Sequence, residues 1–515
     1  MNASVIWRVL RAEGVAAALD RFHDRRAEAR RRRSFRPVAA PPPGFACAVL
    51  NLAAAAPAPR LGGVQAQLLW RLEAEASRRP VALLYPEKPG GGGGYRLELQ
   101  SGRGRWALQL PPKARGADSE PPAGVAPQPG DASPADARGA RLSGLAPIDP
   151  GLERAVAWAA GLCGATLLQV EGLAGMPLGS LLRLGESGLR LALAIHDFAA
   201  FCPRPHLLES QAPPAPPRFC HYSRDAARCA RCLGRDAAGL APGFQEGRRE
   251  LARRLLASAA AIVYPSSFLA RTHDELFAGA GGAAARVIAP AGSSALFRAH
   301  SARPQCPQGS QRSPRPPRHI AWVGAVQPHK GALVFAAAVR RLAAGGRRLR
   351  LSAYGGGDAE ILARWRRLPG LRVRGYYRAG SLPALLRRDG VDLALLLSVV
   401  PESYGLALDE CAAAAVPVVA FDHGAVAERI AAAGSGLLLA AAVADDPEAA
   451  GAALAALLAD LLDGRLALPP PSSSPPSIPP PGQLPPAAPS APRPATAAAA
   501  DWLELYRELG IRWMA

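Results

Sequence analysis

Residues 391–410 read VDLALLLSVVPESYGLALDE. The first ten are apolar, short and β-rich enough for a buried strand. The next ten place Glu402 and Glu410 eight residues apart, on either side of a Tyr404-Gly405 pair. A strand, a turn and then a helix starting near Leu406 is half of a βα unit. Carboxylates at such a junction stand where open parallel sheets bind ligands, beyond the carboxyl ends of their strands.

Working outward, the same alternation recurs. HIAWVGA, RLRLSAYGG, RVRGYY, VDLALLLSVV and PVVAF read as strands, with helical segments between them. Upstream, FACAVLNL, PVALLYPE, ATLLQVEG, LRLALAIHDF and AAIVYPSS form a second such series, and YRLELQSGRGRWALQL reads as a hairpin. Strands alternating with helices predict parallel sheets covered on both faces. The expected fold is α/β, with two Rossmann-like domains facing a central cleft. The boundaries are a basic helical segment at 1–36, a first domain at 37–290 with a low-complexity insertion carrying the hairpin at 88–140, and a basic linker at 291–318. A second domain at 319–464, a Pro/Ser-rich disordered linker at 465–499 and a helix at 500–515 follow. On that last helix Leu503, Tyr506 and Leu509 share an apolar face.

A chain of 515 residues is too long for one core. Its net charge of +20 calls for an anionic partner. Residues 1–36 hold ten Arg against four acids, and 291–318 hold five Arg and no acid. No zinc-finger, RNA-binding-sheet or helix-turn-helix signature accompanies the charge, which excludes sequence-specific nucleic-acid binding. In the N-terminal segment the arginines alternate with Val5, Ile6, Val9, Leu10, Val15, Leu19 and Phe22. Such a helix either lies on an anionic membrane surface or packs, solvated on its far side, against a domain. Arg8 and Arg11 precede any adequate apolar run, so no signal peptide is expected. No stretch is long and apolar enough for a transmembrane helix.

The helix entering at Leu406 leaves free N–H groups around Ser403, Tyr404, Gly405 and Leu406. With the positive helix end they make an anion site. Glu410 could accept two ribose hydroxyls, and Glu402 the hydroxyls of a sugar beyond the phosphates. HIAWVGAVQPHKG delivers Lys330 after Gly324, where a lysine can neutralise a diphosphate leaving group. His196 ends an apolar strand in IHDF. Cys202, Cys220, Cys229 and Cys232 fall within 31 residues. Four thiolates could hold a tetrahedral structural zinc; reduced free thiols are the alternative, and a reducing cytoplasm suits eight Cys in a chain of this length.

These motifs resemble those of glycosyltransferase family four, retaining enzymes of the two-Rossmann-domain type called GT-B. The matching features are E-x7-E (Glu402, Glu410), G-x5-K-G (Gly324, Lys330, Gly331), PVVAFDHGAVAERI, LGGVQAQLLWRL and IHDFAAFCPRPHLL. The resemblance implies transfer of a hexose from a UDP- or GDP-sugar to a glycan or lipid-linked acceptor in cell-surface polysaccharide synthesis. It further implies no metal or cofactor for catalysis. The cysteine usage points to a cytoplasmic enzyme, which the basic N-terminal helix would rest on the inner membrane face. Glu410 would hold the ribose diol, Glu402 the donor sugar and Lys330 the diphosphate. Gly62 and Gly63 would offer backbone N–H groups across the cleft, and His196 would touch the sugar near its anomeric centre. Ala325 departs from the family, which often has an arginine there; Arg204 is a candidate replacement. The rival readings are a non-catalytic scaffold and an epimerase or hydrolase on the same fold.

Overall fold

The computed structural model describes residues 3–57, 64–87, 94–110, 145–210, 215–237, 240, 243–292, 316–469 and 493–511. Gly62 and Gly63, most of the basic linker and the Pro/Ser-rich run lie outside them.

The first domain is built on β1 (Arg36–Pro37), β2 (Val49–Ala53), β3 (Val81–Pro86), β4 (Tyr95–Ser101), β5 (Gly104–Leu110), β6 (Leu167–Glu171) and β7 (Arg190–Ala194). A two-stranded ribbon of β8 (Leu208–Glu209) and β9 (Arg218–Phe219) follows, before β10 (Ala261–Tyr264) and β11 (Ala285–Val287). The nine-stranded sheet runs β1-β5-β4-β3-β2-β6-β7-β10-β11. From β3 through β2, β6, β7 and β10 to β11 neighbouring strands are parallel, while β4 is antiparallel to both β3 and β5. The β4–β5 hairpin therefore extends the sheet instead of sitting in a low-complexity insertion, and it buries Tyr95, Leu97, Leu99, Leu108 and Leu110. Apolar residues alternating along both strands give it a face to bury.

The second domain holds β12 (His319–Val323), β13 (Arg350–Tyr354), β14 (Leu371–Gly375), β15 (Leu393–Leu396), β16 (Val418–Phe421) and β17 (Gly436–Leu439). All pair in parallel, in the order β14-β13-β12-β15-β16-β17. The order reverses between β12 and β15, which opens a crevice at their carboxyl ends. The strand sequences HIAWV and VVAF are buried at every position, as expected for a sheet covered on both faces. Trp322, Phe335 and Trp365 pack beneath it, with ring centroids 4.8–5.5 Å apart.

The ends of the chain cross between the domains. Helices Ala3–Glu13 and Val15–Arg33 form a hairpin whose inner face, Glu13, Ala17 and Asp24, is buried. Glu13 accepts the Tyr376 N–H (3.0 Å), and the Tyr376 hydroxyl reaches Asp24 (2.5 Å), both in the second domain. Farther along, Arg31 bonds Glu98 of β4 at 2.8 Å, in the first domain. At the other end, helix Ala495–Glu508 lies on the first domain, beginning five residues before the boundary read from composition. Trp502, Leu503 and Tyr506 are buried there, and Leu509 packs on the edge of the same cluster. Arg71 stacks on Trp502 at 4.2 Å and Arg79 on Tyr506 at 4.8 Å. Inside, Arg71 bonds Glu171 and Arg79 bonds Glu75, a buried ionic cluster that ties β6 to helix Val64–Glu75.

Candidate active site

The carboxyl ends of both sheets face one cleft of about 440 Å³. Along its wall in the second domain stand Gly324, Lys330, Glu402, Ser403, Tyr404 and Gly405, with Leu406 and Glu410 behind them. His196 lines it from the first domain, just past β7. The structure thus gathers every candidate donor residue that it describes.

The cleft has two ends. At one, after β15, Lys330 Nζ lies 2.5 Å from Glu402 Oε1. Burial pushes the Glu402 carboxyl up, but Lys330 beside it outweighs that and leaves it below the usual range. The groups expected to hold a diphosphate and a sugar therefore satisfy each other in this state. At the other end Glu410, on the helix after β15, accepts the Tyr377 hydroxyl and the Gly380 N–H from the segment after β14, both at 3.1 Å. Burial raises its carboxyl to about 7, against partial relief from those two bonds.

Glycines shape the floor. Gly331 has φ 79°, and a Cβ there would overlap the Leu397 carbonyl, so the turn that presents Lys330 requires glycine. Gly405 has φ 82° and packs against Val426, which explains the glycine by backbone and packing and leaves its N–H beside the cleft. Helix Leu406–Ala414 adds the N–H groups of Leu406 and Ala407, which lie ahead of any intrahelical acceptor, while that of Leu408 bonds the Gly405 carbonyl at 3.0 Å.

Sequence reasoning missed the residues behind this loop. Arg429 is buried, bonds Asp409 and the Tyr404 carbonyl (3.1 Å), and stacks over the Tyr404 ring at 4.2 Å. The Glu402 carbonyl accepts the Ala425 N–H, and a Cβ on Gly424 would lie 2.6 Å from Glu402 N. His423 bonds the Ser398 carbonyl at 2.9 Å. The run DHGAVAERI carries all of these; its role as a brace shows only once β16 stands beside β15. Across the cleft, Ser266 donates to the Ser403 carbonyl at 2.6 Å, and His206 stacks on His329 at 4.3 Å.

His196 is half-buried, and desolvation, then the nearby Arg71 charge, lowers its pKa to about 4. It is a neutral hydrogen-bonding group at neutral pH. Asp197 turns away to accept the Ala199 N–H at 2.8 Å, capping the turn instead of orienting His196. Arg204 does not stand in for the arginine missing at Ala325: it is engaged by Asp236 and by the Cys232 carbonyl at 3.1 Å. The cations lining the cleft, among the described residues, are Lys330 and Arg21, the latter from the N-terminal hairpin. Cys202, Cys220, Cys229 and Cys232 do converge on a small cavity of about 20 Å³. Among the described residues, however, no three His, Cys, Asp or Glu side chains are placed to hold a metal ion, so this geometry gives the zinc reading no support.

In a two-domain α/β protein of this kind, ligands bind in the cleft beyond the carboxyl ends of the strands. Residues 317–460, which carry the six-stranded sheet, match the family model described as glycosyl transferases group 1. No curated protein matches the chain. Among solved structures, sucrose-phosphate synthase from Thermosynechococcus elongatus is 15% identical with a TM-score of 0.48, covering 90% of this chain and 99% of its own. HepE of Anabaena in complex with UDP and glucose is 15% identical with a TM-score of 0.46, covering 90% and 98%. A UDP-forming trehalose-phosphate synthase from Burkholderia xenovorans is 13% identical with a TM-score of 0.47, covering 90% and 100%.

Proposed function

We propose that this protein is a retaining glycosyltransferase that moves a hexose from a UDP- or GDP-sugar to a glycan or lipid-linked acceptor. The carrying observation is the convergence in one cleft of two polar stations, Lys330–Glu402 and Glu410–Tyr377. The nucleoside sits at the Glu410 end, with the ribose diol donating to the carboxyl. The diphosphate meets Lys330 and the N–H groups at the start of helix Leu406–Ala414.

The Lys330–Glu402 pair is partly exposed on both sides, and such pairs contribute about 0–1 kcal/mol. A diphosphate therefore recruits Lys330 at little cost, and the exchange frees Glu402 to accept hydroxyls of the donor sugar. As the glycosidic C–O bond breaks, negative charge grows on the leaving phosphate, where Lys330 and the helix N–H groups stabilise it. The acceptor hydroxyl enters on the same face and gives its proton to the departing phosphate, which retains the anomeric configuration. His196, neutral, hydrogen-bonds the sugar from the first domain.

The outer face of the hairpin suits a membrane-bound acceptor. Trp7, Val15, Leu19 and Phe22 are 51–72% exposed, with Arg11, Arg25 and Arg26 exposed beside them. Apolar side chains flanked by arginines fit an anionic lipid surface. No helix among the described residues is long and apolar enough to cross a membrane. The cytoplasmic face belongs to the same proposal and is supported by cysteine usage suited to a reducing compartment. The test is a thermal-shift screen with UDP- and GDP-sugars, followed by release of nucleoside diphosphate with a lipid acceptor extract. A donor raises the melting point by mass action. No shift with any nucleotide sugar would sink the reading.

A further inference from the structure

We propose that Arg21 of the N-terminal hairpin is a donor-binding residue that contacts the nucleoside end of the ligand, so that the hairpin completes the active site. This rests on the nucleotide-sugar reading of the cleft. Arg21 lines the cleft although it lies more than 300 positions before the strands that form that wall. Its guanidinium stands 4.5 Å from the centroid of the Tyr376 ring. Glu13 holds it through Nε (3.3 Å) and Nη2 (2.5 Å). Glu13 is fixed in turn by the Tyr376 N–H, so the arginine is clamped to the tip of β14.

The second domain is moulded to receive this arrangement. A Cβ on Gly356 would overlap Glu13 Oε2 and Arg21 Nη2, and one on Gly375 would come within 2.7–2.8 Å of Glu13 and Ala17. Two glycines at two strand ends thus leave room for the junction of the two helices. The recorded bonds use Nε and Nη2, and among the described residues Nη1 has no acceptor. The side chain is 32% exposed, toward the cleft.

The sheet order says which part of the ligand it meets. Arg21 sits at the ends of β13 and β14, beside Gly356 and Tyr376 and next to the Tyr377–Glu410 station, and not at the ends of β12 and β15, which carry Lys330 and Glu402. Fixed N–H donors beside an aromatic ring suit a nucleobase with carbonyl acceptors, which uracil and guanine have and adenine lacks. Arg21 thereby supplies selectivity at one end of the cleft and does not replace the phosphate cation absent at Ala325.

The test compares wild type with Arg21→Met, which keeps the stem packed on Tyr376 but removes the donors. Binding of UDP and UMP, or of GDP and GMP if those bind more tightly, is measured by calorimetry alongside the ligand-free melting point. We expect the variant to weaken the diphosphate and the monophosphate by the same factor, about tenfold or more for a charge-assisted bond. The ligand-free melting point should fall, because Glu13 is left buried without its cation, so binding is compared well below the melting point of the variant. Where the Met variant unfolds, Arg21→Lys takes its place, keeping the charge but losing the fork. Undiminished binding by a folded variant overturns the proposal, and so does a loss confined to the diphosphate, which would move Arg21 to the phosphates. Wild type that binds no nucleotide would overturn the function on which the proposal rests.

Discussion

Lys330 and Glu402 are bonded to each other at 2.5 Å, although they are 72 residues apart and come from different strand ends. Each therefore holds the other in place until a ligand separates them. Lys330→Met should lower turnover by about 10²–10³, the loss seen when one group stabilising a developing anion is removed. Glu402→Gln should leave binding of the nucleoside diphosphate intact, or tighten it by releasing Lys330, while depressing sugar transfer. Comparing calorimetry with product formation separates the two; a Gln variant that binds the free diphosphate less well would contradict the exchange.

Glu410 makes stability depend on pH. Burial lifts its carboxyl from the ordinary value of 4.5 to about 7. A folded-state value above the unfolded one means that the neutral form suits the fold. This contribution is complete below about pH 4.5 and fades as pH rises through 7. Glu410→Gln, neutral at all pH, should gain on wild type between pH 5 and pH 8.5 by up to about 3 kcal/mol. Denaturant midpoints at the two pH values check it, and parallel curves would show that Glu410 titrates normally. Glu410→Ala should abolish the donor-induced thermal shift.

Asp409 and Arg429 form a buried pair behind Tyr404 and Gly405. Removing one partner leaves a lone buried charge, so Arg429→Met should cost about 3–5 kcal/mol. The double variant Asp409→Leu, Arg429→Met should recover much of that stability but still bind donor poorly, because nothing then holds the Tyr404 carbonyl. Recovery of donor binding along with stability would reduce the pair to a packing element.

The exposed side of the hairpin gives a prediction at the membrane. The protein should cosediment with vesicles rich in anionic phosphatidylglycerol, weakly with neutral phosphatidylcholine, and less in high salt. Leu19→Ser with Phe22→Ser should weaken that binding several-fold, since each exposed side chain contributes buried apolar area. Equal sedimentation with neutral vesicles would argue against a charge-guided surface.

Much of the cleft was legible because its parts are local. A strand followed by a turn and a helix places Glu402 and Glu410 near a strand end whatever the rest does, and Gly324 to Gly331 does the same for Lys330. The parallel six-stranded sheet and the parallel part of the nine-stranded one follow from the strand–helix alternation of the apolar runs. Arg21 was beyond that kind of reading, since nothing near it in sequence hints at Tyr376. The same holds for Arg429, whose purpose depends on which strands are neighbours. Arg204 failed as a substitute because its partner, Asp236, lies in a loop whose path the sequence does not dictate. In residues 1–36 the split between an inner face (Glu13, Ala17, Arg21, Asp24) and an outer one (Val15, Leu19, Phe22) fits helical spacing, but the arginine-rich composition masks it.

The bond between Asp24 and Tyr376 spans 352 residues. A ribosome adding 5–20 residues per second needs roughly 20–70 s to traverse that distance. For most of that interval the two helices can rest only on the first domain, through Arg31 and Glu98, while the face that carries Glu13 and Asp24 waits for Tyr376. The last contact of the first-made segment therefore closes only after the six-stranded sheet has begun to form, which couples the two domains late in synthesis.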